Sequence, residues 1–294
     1  MKKTDSAHGI IRFIYTTAAI FIVGSFLVVF GKATLARADE PVPLPVIMYH
    51  SIYTDTPSEY AVTPEQVEND LQWLKNNGYG TVTAEQVIAY TQHRGDLPEN
   101  AVMITLDDGF YNNLSVLVPL LEKYDMTAVV SVVGSYIDND AVKDPHNPKY
   151  SYLTWEDIGS LIKSGRIETG NHTYAMHSLY DGRIGCSINE GESEEEYRTA
   201  LSDDIQRLQE EFRDKIGFYP VIFTYPFGSV SRESLPVIRD SGFFMTLTCR
   251  EQMNYITRER DCLYGIGRYN RSGFYTTEEY MARLFDRTDS QALN

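Results

Sequence analysis

Ala101-Val102-Met103-Ile104-Thr105-Leu106-Asp107-Asp108-Gly109-Phe110 is an apolar run that stops on two carboxylates and a glycine. Residues 101–106 are too few for an amphipathic helix and follow the turn-forming Leu97-Pro98-Glu99-Asn100, so they read as a buried parallel strand. Asp107 and Asp108 then stand at the strand's carboxyl end, where α/β folds collect ligands and catalytic groups. Adjacent acids repel. They are comfortable there when a cation is shared, or when one binds a metal while the other stays free to take a proton. The plain alternative is a solvated Asp-Asp-Gly turn.

Working outward, the flanking segments repeat a strand-helix alternation. Val46 to Ser51 is a second apolar run that ends on polar groups and delivers His50 to a strand end. Thr63-Pro64-Glu65-Gln66 opens a helix with a capping box and Gly78 stops it, and Thr83 with Gln86 caps the next. Helices are expected over 113–124, after Thr154, over 193–215, 231–241 and 277–285. Strands are expected over 127–133, 167–169, 221–225, 243–248 and 263–266, with a loop over 138–152 and a polar rim excursion over 180–192. This order predicts a parallel sheet with helices outside, an α/β fold of the (β/α) barrel kind.

The 294 residues suffice for one such domain. Lys2, Lys3 and Arg12 precede an uncharged run from Phe13 to Gly31, followed by Ala36-Arg37-Ala38. That order predicts export, with residues 1–38 either a cleaved signal peptide or a retained membrane anchor and residues 39–294 the outward-facing domain. The expected location is therefore extracellular, secreted or anchored on the outer face of the cytoplasmic membrane. Residues 1–38 carry five cations and one anion, so without them the formal charge moves from −15 to −19. A domain this acidic is a poor nucleic-acid binder and favours a neutral or cationic substrate. A monomer is expected. Cys249 and Cys262 are near enough in sequence to pair, which spacing alone does not establish, and Cys186 is left over. The tail from Asp286 is expected to be disordered.

Asn171-His172-Thr173-Tyr174-Ala175-Met176-His177 places two imidazoles five apart after a strand end. Neither a helix face nor a flat strand brings such positions together, so a turn is required. One carboxylate with two imidazoles and open positions is the ligand set of catalytic zinc and related divalent sites. The second aspartate is then spare as a base.

At these residues the chain resembles the polysaccharide deacetylase family, the carbohydrate esterases with the NodB homology domain. Thr105-Leu106-Asp107-Asp108-Gly109 is similar to the family's Thr-Phe-Asp-Asp-Gly motif, His172 to His177 to its His-Ser/Thr-x-x-His motif with one residue more, and Tyr225-Pro226-Phe227-Gly228 to its Arg-x-Pro-Tyr-Gly motif. With Pro45 to His50, the histidine spacing is most similar to the poly-N-acetylglucosamine deacetylase branch. The resemblance covers about residues 44–270 and implies an irregular (β/α)7-type barrel. It also implies Asp107 as catalytic base, and a divalent metal on Asp108, His172 and His177: zinc first, with cobalt, nickel and iron as alternatives. Tyr225, Pro226 and Phe227 would form the substrate and oxyanion wall. The substrate partner would be an N-acetylated glycan.

Two departures stand out. No histidine follows His177, so the family's C-terminal general acid is missing, and His50 is the candidate to replace it, with a strand-end histidine bonded to backbone as the plain reading. Thr224-Tyr225 stands where the family has a base-orienting arginine. The rival reading is a weak or inactive glycan-binding module on the same barrel.

Overall fold

The run from Ala101 to Leu106 is a strand buried at every position, and the chain is organised around it. The computed structural model describes residues 40–53, 55–141, 143–179 and 182–285. The expected leader, residues 1–38, and the tail from Asp286 lie outside the described residues. The elements run β1 (Val42–Leu44), β2 (Val46–Tyr49), α1 (Pro64–Asn76), β3 (Gly80–Thr81), α2 (Ala84–Thr91), β4 (Ala101–Leu106), α3 (Val118–Tyr124), β5 (Ala128–Val132), α4 (Trp155–Lys163), β6 (Ile167–Asn171), α5 (Glu194–Lys215), β7 (Ile222–Thr224), α6 (Ser234–Asp240), β8 (Met245–Leu247), β9 (Asn254–Ile256), β10 (Tyr269–Asn270) and α7 (Thr277–Phe285). Among the described residues no helix is long and apolar enough to cross a membrane.

The main sheet is parallel, in the order β10-β2-β4-β5-β6-β7-β8, with β3 beside the start of β4. Beyond β8, Thr248 N donates to Ile266 O (2.8 Å) and Arg268 N to Arg250 O (2.9 Å). On the other side Tyr269 and Asn270 register with Ile47 and Met48. Residues 266–270 therefore tie one edge of the sheet to the other, and the expected irregular (β/α)7-type barrel results.

Period-two alternation sorts each strand between two cores. Val102, Ile104 and Leu106 face the helices and pack with Leu71, Leu121 and Ile158. Ala101 and Met103 point the other way, into an interior cluster with Val46, Val129, Ile222 and Met245 that helix α2 closes through Val87 and Ile88. Thr105 and Asp107 continue that inward series. The barrel wall is thus apolar on both faces, as a parallel strand should be. Gly170 is required by the inner face, because a Cβ there would lie 2.6 Å from Ser131 Oγ.

Capping boxes form at Thr63–Gln66, Thr83–Gln86, Thr154–Asp157 and Ser193–Glu196, each cap contributing about 1 kcal/mol. Three expectations are corrected. The helix expected over 113–124 opens as a wide π-type turn, Asn113–Leu117, and the loop expected over 138–152 begins inside a second such turn, Tyr136–Ala141. The strand expected over 263–266 is displaced: Arg260–Leu263 is a 3-10 turn, Gly265 takes φ +91°, and only then does the chain extend. The ribbon β1–β9 is antiparallel and escaped the sequence reading because three residues carry no readable period. All three cysteines are free, so the Cys249–Cys262 pairing is not formed.

Candidate active site

Strands β2, β4, β6 and β7 deliver their next residues to one pocket of about 480 Å³, which His50, Asp107, Asp108, His172, His177 and Phe227 help to line. Three of the exits use a left-handed residue other than glycine: Asp108 (φ 71°), Thr173 (φ 71°) and Phe227 (φ 56°). Such conformations cost on the order of 1–3 kcal/mol each and persist where the surroundings enforce them.

Asp108, His172 and His177 each offer one ligand atom, all within 4.8 Å of one another. His172 Nε2 is 3.7 Å and His177 Nε2 3.2 Å from Asp108 Oδ1. His172 donates Nδ1–H to Thr224 O (2.7 Å), which leaves the Nε2 lone pair facing the site. His177 Nδ1 is 3.1 Å from Tyr136 Oη. Burial pushes His172 down to about 3 and His177 down as well, so both imidazoles stay neutral as ligands must. Burial raises Asp108 to about 6, and its Oδ1 is buried with no hydrogen-bond partner among the described residues. An orphaned carboxylate oxygen between two imidazole lone pairs is what a divalent ion would satisfy, and the donor set fits one. The turn that lets histidines five apart converge is made at Thr173, whose N–H is bonded to Asn171 Oδ1 (2.8 Å).

Asp107 has a different environment. Arg268 Nη1 donates to its Oδ1 and Nη2 to its Oδ2, both at 2.7 Å, and Arg268 is wholly buried. Burial by itself would raise this carboxyl; the Arg268 guanidinium reverses the direction and holds it well below the usual carboxylate range. The family's motif places this arginine before Tyr225, where Thr224 stands. It comes instead from the closing segment 266–270, and the available signal was an arginine inside a short apolar run late in the chain. Tyr136 falls between the strand expected over 127–133 and the loop expected over 138–152 and so carried no expectation; it opens the π-type turn Tyr136–Ala141.

His50 reaches the same carboxylate from β2, with Nε2 at 4.0 Å from Asp107 Oδ2. Its ring meets Tyr60 edge-on at 5.0 Å, and Nδ1 is buried without a partner among the described residues. The neighbouring placement of β10 and β2 is what brings Arg268 and His50 to one rim. The expected wall of Tyr225, Pro226 and Phe227 is only one-third present. Inward and outward positions alternate from Ile222, so Tyr225 falls on the helix side, where it packs with Phe223 and lies 3.1 Å from Ser234 Oγ. Pro226 is buried. Phe227 alone of the three lines the pocket, its ring 4.5 Å from that of His177.

The sequence profile of the polysaccharide deacetylase family matches residues 94–246. The chain is 25% identical over 236 residues to the poly-β-1,6-N-acetyl-D-glucosamine N-deacetylase of Escherichia coli K12, covering 72% of this chain and 35% of that protein. It is 22% identical over 183 residues to the enzyme of the same name from Staphylococcus aureus MRSA252, covering 62% of this chain and 59% of that one. This chain thus spans about a third of the length of the first of these curated relatives. Among solved structures, a de-N-acetylase from Aggregatibacter actinomycetemcomitans superposes with TM-score 0.68 at 24% identity, over 82% of this chain and 99% of that one. IcaB from Ammonifex degensii superposes with TM-score 0.68 at 22% identity, over 83% and 97%. The two structures share the fold. With a family match over half its length and the family's carboxylates and imidazoles gathered at one rim, the chain belongs to the polysaccharide deacetylase family.

Proposed function

We propose that the chain is an exported, metal-dependent N-deacetylase that removes acetyl groups from N-acetylglucosamine-type residues of a cell-surface polysaccharide, with β-1,6-linked poly-N-acetylglucosamine the first candidate. The observation that carries this reading is the division of labour between adjacent acids: Asp108 faces two imidazoles, while Asp107 faces Arg268 and His50. Asp108, His172 and His177 would hold the ion. When bound, it supplies Lewis acidity to the acetyl carbonyl and acidifies the attacking water, which suits a carboxylate as weakly basic as Asp107.

The protein's own groups do the rest. Arg268 keeps Asp107 ionised and fixes both its oxygens, so the carboxylate is positioned to take the proton from water. His50 stands across from it to give a proton to the leaving amine. The exposed Phe227 ring offers a face against the sugar, and its backbone N–H is the candidate donor to the developing oxyanion. Export rests on the order of charged, apolar and small residues in 1–38, and zinc on the mixed imidazole-carboxylate donors, with cobalt, nickel and iron as alternatives.

The test is acetate release from β-1,6-linked poly-N-acetylglucosamine, chitin oligomers and peptidoglycan, using chelated protein reloaded with zinc or cobalt. Release restored by metal on the first substrate is expected. No acetate from any glycan with any of these ions would return the chain to the rival reading, a glycan-binding module.

A further inference from the structure

The outer face of helix α1 has a composition that folding does not require. Glu65, Asn69, Gln72 and Asn76 recur at helical spacing and so form one stripe. Asn69, Gln72 and Asn76 are exposed, and among the described residues their side-chain amides have no hydrogen-bond partner. Helix α5 is closer to the ordinary case: its exposed positions are mostly Glu, Asp, Arg and Lys, with Thr199 and the single carboxamide Gln206 among them, as expected for a face that only meets water. The α1 stripe carries three uncharged carboxamides instead, each able both to donate and to accept.

Facing this stripe is the segment from Gly273 to Glu278, and the two enclose a groove of about 720 Å³ with Trp73 in its lining. Phe274, on that segment, is 69% exposed. Gln66 Nε2 holds the walls together by donating to Gly273 O (3.0 Å) and Tyr275 O (3.3 Å). Trp73 is stacked on Phe285 and Tyr79, so the exposed Phe274 ring is the face on offer. Such a ring among carboxamides and hydroxyls suits a carbohydrate, taking the C–H face of a sugar while the amides exchange hydrogen bonds with its hydroxyls. Glu65 and Glu278 in the lining disfavour an anionic polymer.

Among the described residues the groove and the catalytic pocket have no lining residue in common, but the segments beside them are joined through the backbone. Gly273 N donates to Ser58 O (2.8 Å), and the neighbours Glu59 and Tyr60 line the pocket together with Asn270. Gly273 is needed for this approach, since a Cβ would lie 2.4 Å from Ala61 O. From Asn270 to Gly273 is three residues, at most about 11 Å of chain.

We propose that this groove is a second, non-catalytic binding site for the polysaccharide, taking a neutral, hydroxyl-rich stretch of the chain whose other units occupy the catalytic pocket. The identity of that polymer rests on the deacetylase reading above. Two linked contacts raise the effective concentration of the reacting end, so long chains gain over short ones while the chemistry on each unit is unchanged.

The test uses the full chain carrying Asp107→Asn, titrated calorimetrically with β-1,6-linked N-acetylglucosamine oligomers of increasing length, alone and with Phe274→Ala or the pair Asn69→Ala and Gln72→Ala added. Affinity should rise with length, and each groove change should weaken long oligomers by about fivefold to tenfold while leaving the disaccharide unaffected. Long-oligomer affinity unchanged in both groove variants overturns the proposal. So does a loss equal for short and long oligomers, or an absence of binding by every oligomer. Acetate release by the unsubstituted chain is measured in parallel: its absence refutes the deacetylase reading, while the binding series still decides the groove.

Discussion

Three residues apart, Arg268 and Arg271 each make a buried, two-pronged pair with an aspartate, and the two pairs do opposite things. Arg271 lies outside the barrel wall, where Nε donates to Asp70 Oδ2 (2.7 Å) and Nη2 to Oδ1 (3.2 Å). Tyr49 Oη and Thr277 Oγ1 add their own donors to Asp70, each at 2.7 Å, and Arg271 Nη1 is taken up by the carbonyls of Ser272 and Tyr275. Every lone pair of that carboxylate is engaged, and helices α1 and α7 are locked to strand β2. Asp107 receives Arg268 and little else, and it lines an open pocket beside a histidine. The lesson is that burial and an arginine do not by themselves distinguish a clamp from a catalyst. What distinguishes them is the acceptor capacity left over.

The comparison can be broken first at the aspartates. Asp107→Asn should retain the metal and lose turnover by a factor on the order of 10² to 10⁴, whereas Asp70→Asn should keep near-normal turnover per folded molecule. Metal analysis with acetate kinetics checks both, and loss of the metal in Asp107→Asn would mean the adjacent acids have each other's roles. The clamp should show its weight in stability instead: Asp70→Ala leaves Arg271 buried and unpaired and should cost about 3–5 kcal/mol in urea unfolding. An unchanged midpoint would remove the distinction.

His50 sharpens the catalytic side. His50→Ala should cut amide turnover by about 10²-fold, within the range for a lost proton donor, with metal content intact. An activated ester, whose leaving group needs little protonation, should suffer far less. Equal losses on both substrates would make His50 structural. Arg268→Lys is the milder probe: the charge stays but the fork is lost, and turnover should fall about tenfold with the metal retained. An unchanged rate would show that one point charge is enough.

The smallest effect is on acid stability. The folded-state pKa of Asp107 is depressed, so its ionised form stabilises the metal-free protein above the ordinary carboxylate value of 3.8, and that contribution is lost as pH falls below it. The stability difference between the unsubstituted chain and Asp107→Asn should therefore be constant near neutrality and shrink only in strong acid. A difference already vanishing at pH 6 would contradict the direction of the shift.

The barrel was legible because its strands are apolar on both faces and its helices open with capping boxes, which are local signals. Asp107, Asp108 and the paired histidines were legible because their chemistry is concentrated in short stretches after strands. Arg268 was not, because its position depends on the last strand closing onto the first, a register set after Gly265 turns the chain. Tyr225 differs for the opposite reason: motif similarity points to the pocket, while the period-two count from Ile222 puts its side chain outside the wall, against Phe223. Tyr136 gave no signal, being a single hydroxyl in an aperiodic segment.

The left-handed exits at Asp108, Thr173 and Phe227 bear on how this protein would respond to engineering. Glycine relieves that backbone cost at each position, by roughly 1 kcal/mol or more. A library selected for heat resistance alone should drift toward glycine at these three residues as well as at the other left-handed positions, His93, Asp125 and His146, so stabilised variants need turnover as a second filter. The safer sites for gaining heat resistance are those last three, which do not line the pocket, and Gly159, where the backbone is not left-handed and a Cβ meets nothing within 4 Å.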